Sequence, residues 1–137
     1  MSYLLRRSLT EHRKLASKIR KSNKYLSRLM GAYLLNIVDI VEKSGKSVDI
    51  VNPMYSFRHR TLRILKDGVT EYPSEMAIER GEKPTSYSLE EFRNRCKTFD
   101  TCEATKFEET LHSIESSWIK RKITLEMVKT KLATLNS

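Results

Sequence analysis

The first part of the chain alternates apolar and basic positions with the period of an α-helix. Residues 3–43 contain no proline and one glycine, Gly31. Positions placed 100° apart put the apolar side chains on one side and the lysines and arginines on the other. The Ser44-Gly45 pair that follows is typical of a helix C-terminus. The pattern predicts one long amphipathic helix, or two nearly collinear helices with a kink at Ser22-Asn23.

After Gly31 the two sides of this helix no longer differ in polarity. Ala32, Leu35 and Val38 fall on the side that is basic earlier in the helix, so this stretch is apolar nearly all round. A helix that is apolar on every side is usually buried. The whole helix is also long for a domain of this size, and we expect a second copy of the chain to complete its apolar face in a homodimer or higher oligomer.

The middle of the chain, residues 46–87, holds all three prolines and reads as strands and loops. Val48–Val51 is predicted as a short strand. Thr61–Leu65 and Val69-Thr70-Glu71 flank Asp67-Gly68, which is a strong hairpin signal. Ser74 is expected to cap a short helix that runs to Arg80 and is closed by Gly81. Residues 82–86 are predicted to form a loop.

Residues 88–137 carry helix signals. Ser88-Leu89-Glu90-Glu91 fits a capping box, and Asp100-Thr101-Cys102-Glu103 is a looser one. Two apolar stripes with helical spacing follow. The stripes are Phe107, Leu111, Ile114 and Trp118, and then Leu125, Val128, Leu132 and Leu135. The predicted fold is therefore a single domain over 1–137, mostly α with a small β-hairpin (α+β with a minor β part), ending in two or three C-terminal helices.

The positive charge of the chain is concentrated at its N-terminus. The net charge is +9, and residues 1–28 contain nine Lys/Arg against one acid, Glu11. These cations lie on the basic side of the predicted helix and are the candidate nucleic-acid-binding residues. They are Arg6, Arg7, Arg13, Lys14, Lys18, Arg20, Lys21, Lys24 and Arg28. From first to last they would span about 33 Å of helix, close to the roughly 34 Å of one duplex turn.

A solvated helix face is the plainest alternative, but such faces usually mix the two signs of charge. Here Lys14–Lys18 and Arg20–Lys24 are like-charged pairs four residues apart. We therefore favour phosphate contact without sequence specificity, in a small regulatory or structural nucleic-acid-binding protein, with RNA slightly favoured over DNA. Small size and high basicity also suit a viral protein. The alternatives are an adaptor that docks an acidic protein, and a peripheral or matrix-like protein that binds anionic lipid.

Smaller features add little to this picture. Tyr3 and Tyr25 lie on the basic side of the predicted helix, and a tyrosine ring can stack on an unpaired base. The preferred interpretation is that both rings only pack against the helix. Two further basic clusters are interpreted as ordinary surface. They are Arg58, His59, Arg60, Arg63 and Lys66 around the hairpin, and Lys120, Arg121 and Lys122 before the last helix.

Signals for catalysis, metals and secretion are weak. Gly45-Lys46-Ser47 resembles the end of a phosphate-binding loop, but that motif needs glycine where Ile40 stands. Cys96 and Cys102 have the wrong spacing for zinc. His12, His59 and His112 are scattered along the chain, and no nucleophile is paired with a base. We expect a protein with no enzymatic activity, metal or cofactor. Because arginines interrupt the opening apolar stretch, we also expect an intracellular protein, cytoplasmic or nuclear and not secreted, with reduced thiols.

Overall fold

The structure is a computed structural model that describes residues 23–55 and 60–136. Within these ranges the elements follow one another in the order helix, three strands, helix, strand, two helices, a 3₁₀ helix and a last helix. They are α1 Asn23–Ser44, β1 Val48–Val51, β2 Thr61–Leu65, β3 Gly68–Tyr72, α2 Glu75–Glu79, β4 Thr85–Tyr87, α3 Leu89–Thr98, α4 Ala104–Glu115, a 3₁₀ helix Trp118–Arg121, and α5 Leu125–Asn136. The described chain is mostly α-helical with a small β part, which confirms the predicted fold class.

The predicted hairpin is the centre of a larger antiparallel sheet. The strand order is β1-β2-β3-β4, and each strand pairs antiparallel with the next. One row of side chains crosses all four strands, from Val48 through Ile64 and Val69 to Tyr87. The prediction of a loop over residues 82–86 was wrong at its end, because Thr85–Tyr87 forms β4. This strand is too short and too polar to show an alternating pattern.

Helix α1 is the central element of the core. Leu29, Met30, Tyr33, Leu34 and Ile37 are fully buried, and the helix packs against α3, α4, α5 and β2. Ala32, Leu35 and Val38 are buried too, as predicted from the apolar residues on every side of the helix after Gly31. The apolar side of the helix is thus covered within one chain from Leu26 onward. Any apolar face left for a second copy of the chain must therefore lie before position 23. Those residues, including the predicted helix over 3–22, are outside the described residues, so the homo-oligomer stays a prediction.

The ends of several helices follow the predicted signals. At the end of α1, Gly45 has a φ of 76° and its N–H donates to the carbonyl of Val41 at 2.8 Å. Ser74 caps α2, and its hydroxyl accepts from the N–H of Ala77. Ser88 caps α3 in the same way, with the N–H of Glu91 donating to its hydroxyl at 3.1 Å. These contacts satisfy backbone groups that a helix end leaves without partners.

Two predictions for the C-terminal helices need correction. The loose capping box at Asp100–Glu103 does not form, because α4 begins at Ala104 and Glu103 at the N-cap makes no side-chain hydrogen bond to the helix. Trp118, predicted on the same stripe as Phe107, lies in the 3₁₀ helix instead, after α4 has ended at Glu115. Its indole N–H donates to the carbonyl of Ser47 at 2.8 Å.

Helices α1 and α3 run in opposite directions. Arg93, in the middle of α3, donates to Asp39 in the second half of α1 at 2.6 Å. Cys96 lies against Gly31 in the middle of α1, and the N–H of Cys102 donates to the hydroxyl of Ser27 at 2.8 Å. The C-terminal end of α3 therefore lies at the same end of the molecule as the first turns of α1.

The helices of this structure are short or polar compared with a bilayer-spanning segment. No helix in 23–55 or 60–136 is both long enough and apolar enough to cross a membrane.

Candidate functional site

The predicted basic surface is described only at its C-terminal end. Seven of its nine residues, from Arg6 to Lys21, lie outside the described residues, and their role stays a prediction. Lys24 and Arg28 lie in the first turns of α1, four residues apart, which places them on the same side of the helix. Lys24 is exposed, and no carboxylate within the described ranges pairs with it.

Arg28 has a structural contact of its own. Its side chain is half-buried, and Nη1 donates to the carbonyl oxygen of Leu135 in the last turn of α5 at 2.6 Å. The last carbonyls of a helix lack partners within it, and a cation there also complements the helix dipole. Arg28 thus joins α1 to the end of α5, and within 23–55 and 60–136 no further group accepts from its other N–H donors. The sequence pattern gave no sign of this second role.

The charge of the described residues is nearly balanced. They hold 18 Lys/Arg and 16 Asp/Glu, a net charge of +2 within the +9 of the whole chain. Most of the surplus therefore belongs to the segment before α1.

The basic cluster around the hairpin is largely neutralised where it is described. Arg63 pairs with Asp49 through two contacts, Nε to Oδ1 at 2.8 Å and Nη2 to Oδ2 at 3.0 Å. Arg60 pairs with Glu71, whereas Lys66 is exposed and Arg58 and His59 lie outside the described residues. The exposed pair of Arg63 and the exposed Lys66 agree with the interpretation of ordinary surface, whereas Arg60 is bound to the buried carboxylate of Glu71.

A pocket that the sequence analysis did not identify lies at the C-terminal end of α3. It has a volume of about 350 Å³ and is lined by Met54, Tyr55, Arg95, Thr98 and Phe99. Arg95 and Thr98 are three residues apart on one face of α3, and Phe99 directly follows the helix as its C-cap. Met54 and Tyr55 come from the connection between β1 and β2. The pocket thus joins side chains about 40 residues apart in the chain, which no local motif indicates.

An arginine stacked on a tyrosine forms one wall of this pocket. The guanidinium carbon of Arg95 lies 4.5 Å from the centre of the Tyr87 ring, a cation–π contact. The side chain is otherwise exposed, and in 23–55 and 60–136 no group accepts a hydrogen bond from its guanidinium. Arg95 is therefore held in position by the ring while its N–H donors remain available.

A buried polar network holds Tyr55, another residue that lines the pocket. Glu71 on β3 is 2% exposed, and its Oε2 accepts from Nδ2 of Asn52 at 2.8 Å. Its Oε1 accepts from Nη2 of Arg60 at 2.9 Å and from the hydroxyl of Tyr55 at 3.5 Å. Arg60 also lies over the Tyr55 ring at 4.8 Å. Burial, together with the carboxylate of Glu71, raises the pKa of Tyr55.

The two thiols are buried and do not resemble reactive cysteines. Burial raises the pKa of Cys96 far above its usual value, and burial raises the pKa of Cys102 to about 12. Both are free, and a thiol held in the neutral form is a poor nucleophile and metal ligand. In the described part of the chain, no three His, Cys, Asp or Glu side chains are grouped so that they would hold a metal ion.

Comparison of the chain with protein-family models, with curated proteins and with solved structures finds no match in any of the three.

Proposed function

We propose that this protein binds nucleic acid, with RNA favoured over DNA, through the basic segment that ends at Lys24 and Arg28. Its role is binding, regulatory or structural, and not catalysis. The observation that carries the proposal is the position of the charge: the described residues have a net charge of +2, and the whole chain has +9. A surplus of lysine and arginine confined to one short segment is the electrostatic signature of a polyanion-binding surface.

The attachment of this segment to the fold supports the proposal. It leads directly into α1, whose side chains are buried through most of the helix from Leu26 to Val41. Lys24 is exposed at the point where the two meet. Phosphates bound along the segment would consequently be held next to the folded body of the protein. Contact with phosphates fixes a nucleic acid in place without reading its bases.

Charge-reversal variants test the proposal. A fluorescently labelled RNA would be titrated with wild-type protein at several salt concentrations, and the logarithm of the affinity should fall linearly with the logarithm of the salt concentration. The test variant changes Arg13, Lys14, Lys21 and Lys24 to glutamate. We expect it to lose most of the binding, since contacts to phosphates would become repulsive.

A matched control carries the same change in net charge at other places. Lys43, Lys66, Lys83 and Lys129 are all exposed, and their change to glutamate gives the same net charge as in the test variant. The control should retain most of the wild-type affinity. Equal loss in both variants would contradict a localised site. Binding to anionic vesicles or to an acidic protein, without binding to RNA or DNA, would overturn the proposal in favour of those partners.

A further inference from the structure

We propose that the pocket at the end of α3 binds one unpaired base of a single strand whose phosphates contact the basic segment. This inference rests on the proposed function and makes it more specific, because it predicts a preference for single-stranded over duplex nucleic acid.

The pocket lies at the end of the molecule where α1 begins, and this position is the first argument. Arg95, Thr98 and Phe99 stand at the C-terminal end of α3. Since α3 runs opposite to α1, this end lies beside the first turns of α1, as the hydrogen bond from Cys102 to Ser27 shows. The basic segment enters the fold at those same turns. A strand whose phosphates contact Lys24 therefore lies at the same end of the molecule as the pocket.

The chemistry of Arg95 is the second argument. Its planar guanidinium is fixed over the Tyr87 ring at 4.5 Å, and it is exposed. Arginine can donate two parallel hydrogen bonds to a phosphate, and a stacked arginine loses little freedom when it does so. The buried acid near the pocket does not oppose an anion, because the carboxylate of Glu71 is paired with Arg60 at 2.9 Å.

The flat apolar surface is the third argument. The half-buried rings of Tyr55 and Phe99 line the pocket together with Met54. The Tyr55 ring is held by Arg60 on its face and by Glu71 at its hydroxyl. Proteins that bind single strands stack unpaired bases on aromatic rings beside cations, and a volume of about 350 Å³ is within the usual range for a small ligand. An aromatic ring bearing a phosphate is the ligand that matches both halves of this pocket.

The experiment uses a short single-stranded RNA that contains the fluorescent base 2-aminopurine, with the matching duplex as the second probe. Stacking in the pocket should quench the fluorescence of the single strand as wild-type protein binds. The variants are Arg95→Gln and Tyr55→Leu. Lys97→Gln is the control, because Lys97 is an exposed cation on the same helix that does not line the pocket. Circular dichroism checks that each variant is folded, and exposed Arg95 is a position whose change should leave the fold intact.

We expect wild-type protein to bind the single strand more tightly than the duplex. Each pocket variant should weaken single-strand binding about tenfold and abolish the quenching, while duplex binding and the Lys97→Gln control stay near wild type. If wild-type protein binds the RNA but the pocket variants bind and quench equally well, the pocket proposal fails and the proposed function stands. If wild-type protein binds no nucleic acid at all, both fail. Tight binding of free adenosine monophosphate without a single-strand preference would overturn the proposal that the base belongs to a strand.

Discussion

Gly31 of α1 lies directly against the carbonyl oxygen of Cys96 in α3, so closely that a Cβ at position 31 would overlap this oxygen. The two helices can cross at this distance only because position 31 has no side chain. The contact places α3, and with it Arg95 and the pocket, relative to the start of α1.

We predict that Gly31→Ala destabilises the protein by about 1 to 3 kcal/mol, because the added methyl group forces the two helices apart. Elsewhere in a helix the same change is stabilising by about 1 kcal/mol. Urea unfolding followed by the fluorescence of Trp118, the single tryptophan, measures the difference. Gly45→Ala is a useful comparison: a Cβ there meets nothing within 4 Å, but φ is +76°, so its smaller cost comes from the backbone alone. An unchanged or raised stability of Gly31→Ala would contradict the close crossing.

A cluster of charges links α1, α3 and α5 and should make stability depend on pH. Asp39 accepts from Arg93 at 2.6 Å and pairs with Lys131 at 2.9 Å. Burial acts to raise the pKa of Asp39, but hydrogen bonds and charges from Lys131 and Arg93 outweigh it, so the pKa is lowered from 3.8. Because the pKa of Asp39 is lower in the folded state than in the unfolded state, its ionised form stabilises the fold at every pH above the ordinary pKa. This contribution is lost as the pH falls below about 4.

We therefore expect Asp39→Asn to be less stable than wild type at pH 7, by no more than about 1 kcal/mol because the pair is partly exposed. The difference between the two proteins should shrink as the pH is lowered from 4 to 2. Urea unfolding at a series of pH values tests this. A difference that stays constant down to pH 2 would show that the charge of Asp39 contributes nothing.

We expect removal of the buried carboxylate of Glu71 to lower the free energy of unfolding more than most single substitutions. Glu71→Ala would leave Arg60 and Asn52 without their partner in a buried position. Breaking a buried pair in this way costs about 3 to 5 kcal/mol, and loss of the contact to Tyr55 should weaken binding in the pocket as well. Glu79→Ala, at an exposed position of α2, is the control and should change the unfolding free energy by less than about 0.5 kcal/mol. A Glu71→Ala protein as stable as this control would show that the network is not formed.

The buried thiols should be protected from modification in the folded protein. Because the pKa of Cys102 is raised to about 12 and that of Cys96 is also raised, almost no thiolate exists at pH 8. We predict that a thiol reagent such as dithionitrobenzoate reacts slowly with the native protein and rapidly with both cysteines in urea. Fast reaction of either cysteine in native protein would mean that the packing around it opens readily.

Local patterns predicted most of the fold, and their failures have physical reasons. The hairpin signalled by Asp67-Gly68 and the N-cap at Ser88 are encoded within a few residues, and both form. The tight turn itself lies one residue earlier than predicted, at Lys66 and Asp67, because Gly68 already pairs with Leu65 as the first residue of β3. β4 was missed because Thr85 and Ser86 acquire strand structure only by pairing with Glu71 and Thr70. That pairing depends on tertiary contacts and leaves no period in the sequence.

The two parts of the candidate site differ in the same way. The basic segment is visible in the sequence because its cations follow a helical period, and it remains a prediction for residues 6–21. The pocket could not be predicted, because Tyr55, Tyr87 and Arg95 come from a loop, a strand and a helix. Only the crossing of α1 and α3 and the pairing of β3 with β4 bring them together.

The two edge strands of the sheet, β1 and β4, differ in how far their backbone groups are covered. The backbone N–H of Val51 donates to the hydroxyl of Ser113, and its carbonyl accepts from the hydroxyl of Thr110. Helix α4 thus occupies at this point the positions that a foreign strand would need for pairing with β1. At the other edge of the sheet, β4 offers only Thr85–Tyr87, directly after Pro84, which is a very short template for strand addition. The two edges of the described sheet therefore present little backbone on which a fibre of this protein could grow.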